Sequence, residues 1–205
     1  MTQPQQGRAV RIEREEFKAR RKAFAAAIEA AGYDGALVVS RGGSTFDRYG
    51  NVLYLTGHYQ HYSYLPESPP TFSGRAHNAL AMTASGAGTL CVAVPEVDEE
   101  AVDADRIVHG DRWAETVRDA LGGLDLAAAK LLLVGADVLP ASQWEVLREM
   151  LPRVRWSFGD GLLEDLRRIK SPAEQAVVRE AAAINRRAVT AFLEAAVPGA
   201  TEADA

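Results

Sequence analysis

Apolar residues recur at helical spacing near the start of the chain. Phe17, Phe24 and Ile28 fall on one side of a helix that the pattern predicts from about Glu13 to Ala31. Gly32 follows this segment as a plausible helix stop. The basic cluster at residues 20–22 lies among acidic residues within the same helix, so we expect it to form a solvated face.

Short apolar runs and helical patterns then alternate along the chain. The runs predict strands at residues 36–39, 51–56, 79–84, 89–94, 106–108, 130–134 and 154–158. Further helices are predicted at residues 112–121, from residue 140 onward, at 161–169 and at 171–196. The turn at residues 85–88 joins two of the strands as a hairpin. The sequence therefore predicts an α/β fold with three layers, in which helices flank a mixed sheet of about six strands.

A strong helix start marks the C-terminal part of the chain. Ser171 precedes Pro172 and stands three residues before Glu174, which is the pattern of a capping box. A second helix-start pattern begins at Thr201, four residues before the last residue. From this pattern we expect a truncated chain with one domain at residues 8–160 and the beginning of another at 161–205.

Composition and charge narrow the class of protein. A net charge of −5 argues against nucleic-acid binding, which needs a basic surface. The single cysteine, Cys91, excludes an internal disulfide and a zinc site with several cysteines, and its apolar neighbours favour a core position over a nucleophilic role. The polar N-terminus does not resemble a signal peptide, and no apolar run has the length of a membrane span. We expect a cytoplasmic protein without a membrane partner.

Three segments carry a family resemblance. Residues 166–174 (LRRIKSPAE) resemble the linker and the first catalytic-domain helix of the creatinase/aminopeptidase P/prolidase group. Residues 51–57 (NVLYLTG) are similar to a strand motif of that group's N-terminal domain, and so is the sequence GYDG at 32–35 before an apolar strand. The resemblance implies a creatinase N-terminal-like domain, followed by a linker and the first helix of a catalytic "pita-bread" domain.

The family implies a metal-dependent parent enzyme whose chemistry lies outside this chain. Two divalent metals, Mn, Zn or Co, would be bound by two aspartates, a histidine and two glutamates of the second domain. The resemblance thus implies no cofactor in this chain, which alone is predicted to be inactive. Its expected partners are its own catalytic domain and further copies of itself. The parent's substrate would be a small Xaa-Pro peptide or a creatine-like amide.

Most of the candidate contact residues lie after residue 57. Phe72 and Gly74-Arg75 resemble the aromatic-Gly-Arg element with which creatinase-like N-terminal domains reach a neighbouring subunit's active site. A guanidinium can bind a substrate carboxylate through two parallel hydrogen bonds. The full set of candidates for substrate contact comprises Tyr54, His58, His61, Phe72, Arg75 and His77.

Other interpretations of these residues stay open. Arg75 also fits a surface arginine in a polar loop, and the tyrosines around it fit simple packing onto the sheet. His58 and His61 stand three residues apart, but a metal site would need a third ligand. For the whole chain, the alternatives are a metal-free binding or scaffold module of the same fold, and a domain that binds a ligand independently.

Overall fold

The computed structural model describes residues 10–42, 49–68 and 74–203. It divides the chain into two compact units, and Glu13–Arg168 forms the larger of them. The other unit combines Met1–Ile12 with Ile169–Ala205. The domain boundary after residue 160 stays a prediction.

Six helices and six strands make up the described fold. In chain order they are α1 (Arg14–Ala30), β1 (Gly35–Arg41), α2 (Gly50–Thr56), β2 (His77–Thr83), β3 (Gly88–Val92), β4 (Arg106–His109), α3 (Trp113–Gly123), β5 (Lys130–Val134), α4 (Ala141–Met150), β6 (Arg155–Phe158), α5 (Gly161–Arg168) and α6 (Pro172–Ala195). A short 3-10 helix, Ala136–Val138, lies between β5 and α4. The predicted helices and six of the predicted strands are present at these places.

The strands form one mixed sheet in the order β4-β3-β2-β1-β5-β6. Strand β2 runs antiparallel to β1 and β3, whereas the other neighbouring pairs are parallel. Arg41 at the end of β1 therefore pairs with His77 at the start of β2. The predicted α/β fold with a mixed, six-stranded sheet is confirmed.

Helices cover both faces of the sheet. Because side chains alternate along a strand, Leu37 of β1 packs against α3 and α4, and Val38 packs against α1, α2 and α5. Trp113, Val117, Leu121 and Leu147 belong to the first cluster. Phe24, Ile28, Val52, Leu55 and Leu163 belong to the second. The central strands β1 and β2 are buried on both faces, which is why their middle residues, 36–39 and 79–82, are all apolar.

The strand predicted at residues 51–56 is wrong, because this segment forms helix α2. Val52 and Leu55 are buried one turn apart, and the backbone N–H of Val52 donates to Ser40 Oγ at 2.9 Å. Gly57 ends the helix with a φ of 75°, in the left-handed region that favours glycine. A short apolar run does not distinguish strand from helix, and the deciding contact comes from β1, outside the run.

The basic cluster at residues 20–22 is not a solvated face throughout, because Arg20 and Arg21 are buried. Arg21 donates to the carbonyl of Leu55 at 3.1 Å and to Asp103 Oδ2 at 2.6 Å. The last carbonyls of a helix lack partners within the helix, and a guanidinium satisfies them. The cluster therefore joins α1 to the end of α2.

The predicted capping box at the start of α6 is confirmed. The backbone N–H of Glu174 donates to Ser171 Oγ at 3.1 Å, and the N–H of Ser171 donates to Glu174 Oε2 at 2.9 Å. None of the described helices combines the length and apolarity needed to cross a bilayer.

Candidate functional site

Several strands end at one edge of the sheet, and the candidate residues Arg75 and His77 lie there. Strands β1, β3 and β4 end at Arg41, Val92 and His109, and the antiparallel β2 begins at His77. The pairing register brings these strand ends side by side. In open α/β sheets ligands bind outside the carboxyl ends of the strands, so this edge is the candidate site.

The described residues 65–68 and 74–75 adjoin the start of β2 at this edge, and we call them the arm. Its base is closed by backbone hydrogen bonds between Leu65 and Arg75, with N···O distances of 2.9 and 3.2 Å. The side chain of Arg75 is exposed, and its guanidinium carbon lies 5.9 Å from the ring centroid of Tyr62. The backbone of Arg75 is thus fixed while its charged end faces solvent. Phe72, the other residue of the predicted element, lies outside the described residues.

Glu67 joins the base of the arm to helix α3. Its Oε1 accepts a hydrogen bond from the backbone N–H of Trp113, the first residue of α3. A carboxylate at this position satisfies an unpaired donor and complements the helix dipole. A Cβ on Gly74 would come within 3.1 Å of Glu67 Cγ, so glycine permits the two sides of the arm to approach closely.

His77 is buried between aromatic rings. Its imidazole stacks on the indole of Trp113 with centroids 4.4 Å apart, and the edge of Tyr64 lies 6.0 Å away. Burial, together with the smaller effect of the nearby Arg41 guanidinium, lowers the pKa of His77 to about 3. The imidazole is therefore neutral at physiological pH, and its Nε2 has no hydrogen-bond partner in the described part of the chain. His77 supports the base of the arm rather than facing solvent.

A small cavity lies beside this stack. Its volume is about 20 Å³, roughly the space that a single water molecule needs. The cavity is too small for a peptide or a creatine-like molecule. Its lining includes Tyr64, Glu67, His77, Cys91, Asp111 and Trp113.

Cys91 is buried in the core, as predicted. Its side chain belongs to the cluster under α3. Burial raises the pKa of the thiol to about 12, although the positive charge of Arg106 opposes the shift. Because only the thiolate is a strong nucleophile, Cys91 is unreactive at neutral pH.

His58 and His61 lie in different environments. His58 is buried, and burial lowers the pKa of its imidazole to about 4. His61 is exposed, and its ring meets Tyr59 edge-on with centroids 5.1 Å apart. No group of three or more His, Cys, Asp or Glu side chains that could hold a metal ion occurs among residues 10–42, 49–68 and 74–203. The described residues thus supply no third ligand for this pair.

Tyr54 contributes to packing between helices. Its hydroxyl donates to the carbonyl of Leu166 at 3.1 Å, and the guanidinium of Arg20 lies 4.3 Å from its ring centroid. Arg20 also donates to the carbonyl of Tyr54 at 3.1 Å. These contacts join Tyr54 to α1 and α5, whereas the base of the arm contacts α3.

Two buried amides hold the segment after α2 against the sheet. Asn78 Nδ2 donates to Gln60 Oε1 at 2.9 Å, and Asn78 Oδ1 accepts from the backbone N–H of Ala93 at 2.8 Å. Sequence reasoning missed Gln60 and Asn78, as it missed Glu67 and Trp113. For Gln60 and Asn78 the only signal in the sequence is a polar residue, and nothing local shows that its position is buried.

The sequence profile of the Creatinase/Prolidase N-terminal domain matches residues 20–169. The chain belongs to this family. The family predicted from the sequence is thereby confirmed. A comparison with curated protein sequences finds no match.

Solved structures share the fold of this creatinase/prolidase N-terminal domain. An Xaa-Pro dipeptidase from Bacillus anthracis is 19% identical with a TM-score of 0.64, and the match covers 92% of this chain and 46% of that one. Dipeptidase PepE from Mycobacterium ulcerans is 26% identical with a TM-score of 0.59, covering 95% and 48%. The N-terminal domain of the cytoplasmic peptidase PepQ from Mycobacterium tuberculosis H37Rv is 19% identical with a TM-score of 0.51, covering 72% and 98%. The chain thus spans about half the length of the first two.

Proposed function

We propose that this chain is the non-catalytic N-terminal domain of a metal-dependent hydrolase of the Xaa-Pro peptidase or creatinase type. Its own roles are oligomerisation and shaping the entrance of the active site. The observation that carries the proposal is the exposed Arg75 on an arm whose base is fixed by hydrogen bonds. Family membership and the structural relatives support it.

The chemistry of Arg75 fits the substrates of such an enzyme. Xaa-Pro dipeptides and creatine both end in a carboxylate, and a guanidinium binds a carboxylate through two parallel, charge-assisted hydrogen bonds. The closed base of the arm and the Glu67 contact hold the backbone in place before substrate arrives. Less conformational entropy is then lost on binding.

The metal ions of the proposed enzyme do not fit the described residues of this chain. No suitable cluster of His, Cys, Asp or Glu occurs in them, and the buried His58 and His77 each pack against an aromatic ring. We therefore assign metal binding and the hydrolytic step to a catalytic domain outside this chain. Arg75 would position the substrate for that domain.

The first test is to read the gene beyond the codon for Ala205. We expect a second domain with two aspartates, a histidine and two glutamates as metal ligands. A second domain without these ligands would contradict the proposed hydrolase activity and favour a metal-free scaffold of the same fold.

The role of Arg75 is tested in the full-length protein supplied with Mn²⁺. Arg75→Ala should lower kcat/KM for an Xaa-Pro dipeptide by about 10- to 100-fold, the usual effect of losing a hydrogen bond to a charged group. Arg75→Lys should keep only part of the wild-type kcat/KM, because lysine lacks the planar guanidinium group that donates two parallel hydrogen bonds. Arg118→Ala, which removes an exposed arginine of α3, should change little.

A dipeptide amide separates carboxylate recognition from a general effect on the arm. The amide lacks the carboxylate, so wild type should hydrolyse it more slowly and Arg75→Ala should slow it no further. Equal losses on the acid and the amide would overturn the proposed contact.

A further inference from the structure

An aromatic cluster lies on the outer strand of the sheet. Trp156 and Phe158 point to the same face of β6, and Trp144 of α4 meets their rings with centroid distances of 5.3 and 5.1 Å. Phe158 is 58% exposed although it is large and apolar. We call Trp144, Trp156 and Phe158 the aromatic edge.

The backbone of the same residues points away from the sheet. The N–H of Arg155 donates to Ala129, and the N–H of Gly159 donates to Leu133, so these alternate residues face β5. In a parallel pair the intervening residues direct their N–H and C=O groups outward. Trp156 and Phe158 therefore present free hydrogen-bonding groups on an edge that no described strand covers.

We propose that a second copy of this chain pairs antiparallel with β6, around a twofold axis at Ser157. The inference rests on the oligomerisation proposed above and assigns a surface to it. It depends neither on Arg75 nor on metal ions. The two sheets would join into one continuous sheet across the axis.

The register makes this edge complementary to itself. With the axis at Ser157, Trp156 lies opposite Phe158 of the second copy, and Phe158 lies opposite Trp156. Both residues have outward backbone groups, so each pair exchanges hydrogen bonds in both directions. Their side chains share one face, which places each indole beside a phenyl ring, a favourable cross-strand contact.

Charge does not oppose the pairing. Arg155 lies opposite Gly159 of the second copy, so no like charges face each other along the strand. The adjacent α4 carries exposed Glu145 and Arg148 one turn apart, so the patch contains both signs. Proteins commonly protect an edge strand with charged residues, proline or a bulge, and β6 has one charged residue, Arg155, beside its two aromatic ones.

The strand is short, so the dimer should be weak and should depend on concentration. A stable interface buries about 800 Å² on each partner, more than a short strand supplies by itself. Sedimentation equilibrium of the 205-residue chain over micromolar to submillimolar concentrations should show a monomer–dimer equilibrium.

Two substitutions at one position test the surface. Phe158→Lys removes the aromatic pair, and Phe158→Pro removes the outward N–H but leaves the donors that face β5. Both variants should be monomeric with an unchanged circular dichroism spectrum. Leu53→Lys, which replaces an exposed leucine of α2, should dimerise like wild type.

Cross-linking tests the axis directly. The two copies of Ser157 would face each other at a non-hydrogen-bonded position, where Cα atoms lie about 4.5 Å apart, within the range of a disulfide. Oxidised Ser157→Cys should run as a covalent dimer on a non-reducing gel. Ser85→Cys, at an exposed hairpin turn, should not.

Three results would overturn the inference. If both Phe158 variants dimerised like wild type, the chains would associate through another surface. The proposed oligomerisation would still hold, but its assignment to β6 would be wrong. Equal cross-linking through Ser157→Cys and Ser85→Cys would indicate random collision. A monomeric wild type would remove the proposed oligomerisation as well, while the Arg75 experiments would still test the active-site role.

Discussion

The imidazole of His77 lies nearly parallel to the indole of Trp113, with an interplanar angle of 8°. His77 begins β2 and Trp113 begins α3, so the stack connects the sheet edge to the start of a helix. A positive charge is unfavourable both in an apolar site and near a helix N-terminus. The fold is therefore built around the neutral form of this histidine.

This arrangement predicts acid sensitivity. The pKa of His77 is about 3 in the folded state and about 6.5 in the unfolded chain. Above about pH 6.5 the ring is neutral in both states, and its contribution to stability is constant. Between about pH 6.5 and pH 3 only the unfolded state binds the proton, so the free energy of unfolding falls as the pH falls.

His77→Phe keeps an aromatic ring in the stack and removes this titration. We expect the free energy of unfolding, measured with urea, to fall between about pH 7.5 and pH 5. This fall should be smaller for the variant than for wild type by about 2 kcal/mol. His61→Gln, which changes an exposed histidine, should follow wild type. Equal pH dependence of His77→Phe and wild type would show that the imidazole is not buried as described.

The Glu67 contact predicts a graded loss of stability. Glu67→Ala should lower the free energy of unfolding by about 1 kcal/mol, the usual cost of losing a helix cap. Glu67→Gln keeps an acceptor oxygen and should cost less. Glu115→Gln removes a nearby exposed charge from the first turn of α3 without removing the cap. If Glu115→Gln lowered the free energy of unfolding as much as Glu67→Ala, the effect at Glu67 would be due to its charge alone.

The buried ion pair between Arg21 and Asp103 predicts a larger loss. The Arg21 side chain is only 5% exposed, so Asp103→Ala leaves a guanidinium with no carboxylate in a buried site. We expect a loss of about 3 kcal/mol in urea unfolding. Adding Arg21→Met to Asp103→Ala should cost less than the sum of the single changes.

The pair between Arg118 and Asp119 provides the matched control. Both side chains are substantially exposed, so Asp119→Ala should cost below about 1 kcal/mol. If Asp103→Ala and Asp119→Ala had equal effects, the pair at Arg21 would not be buried in solution.

Local patterns were sufficient to predict most of the fold. The apolar spacing in α1, the continuous apolar run of β1 and the capping box at Ser171 each contain their own signal within a few residues. The segment at residues 51–56 does not, because Ser40 and the arginines of α1 stabilise its helical form from elsewhere in the chain.

The candidate site was less predictable for the same reason. Arg75 was recognised because it follows a glycine within a family element. Glu67 was missed because its partner, the N–H of Trp113, lies 46 residues later. His77 is a candidate only through its nearness to Arg75, and nothing in the sequence shows that Trp113 covers it.

The pairing of Arg41 with His77 has an evolutionary consequence. The chain leaves the sheet after β1 and returns to it in the neighbouring strand, so everything from residue 42 to residue 76 is inserted at a single point. Because both ends lie side by side, the arm can differ in length or sequence between proteins without moving any strand of the sheet, whereas α2 is fixed to the sheet by its buried Val52 and Leu55. Exchanging the arm between relatives would therefore test the proposed contact with substrate while leaving the sheet unchanged.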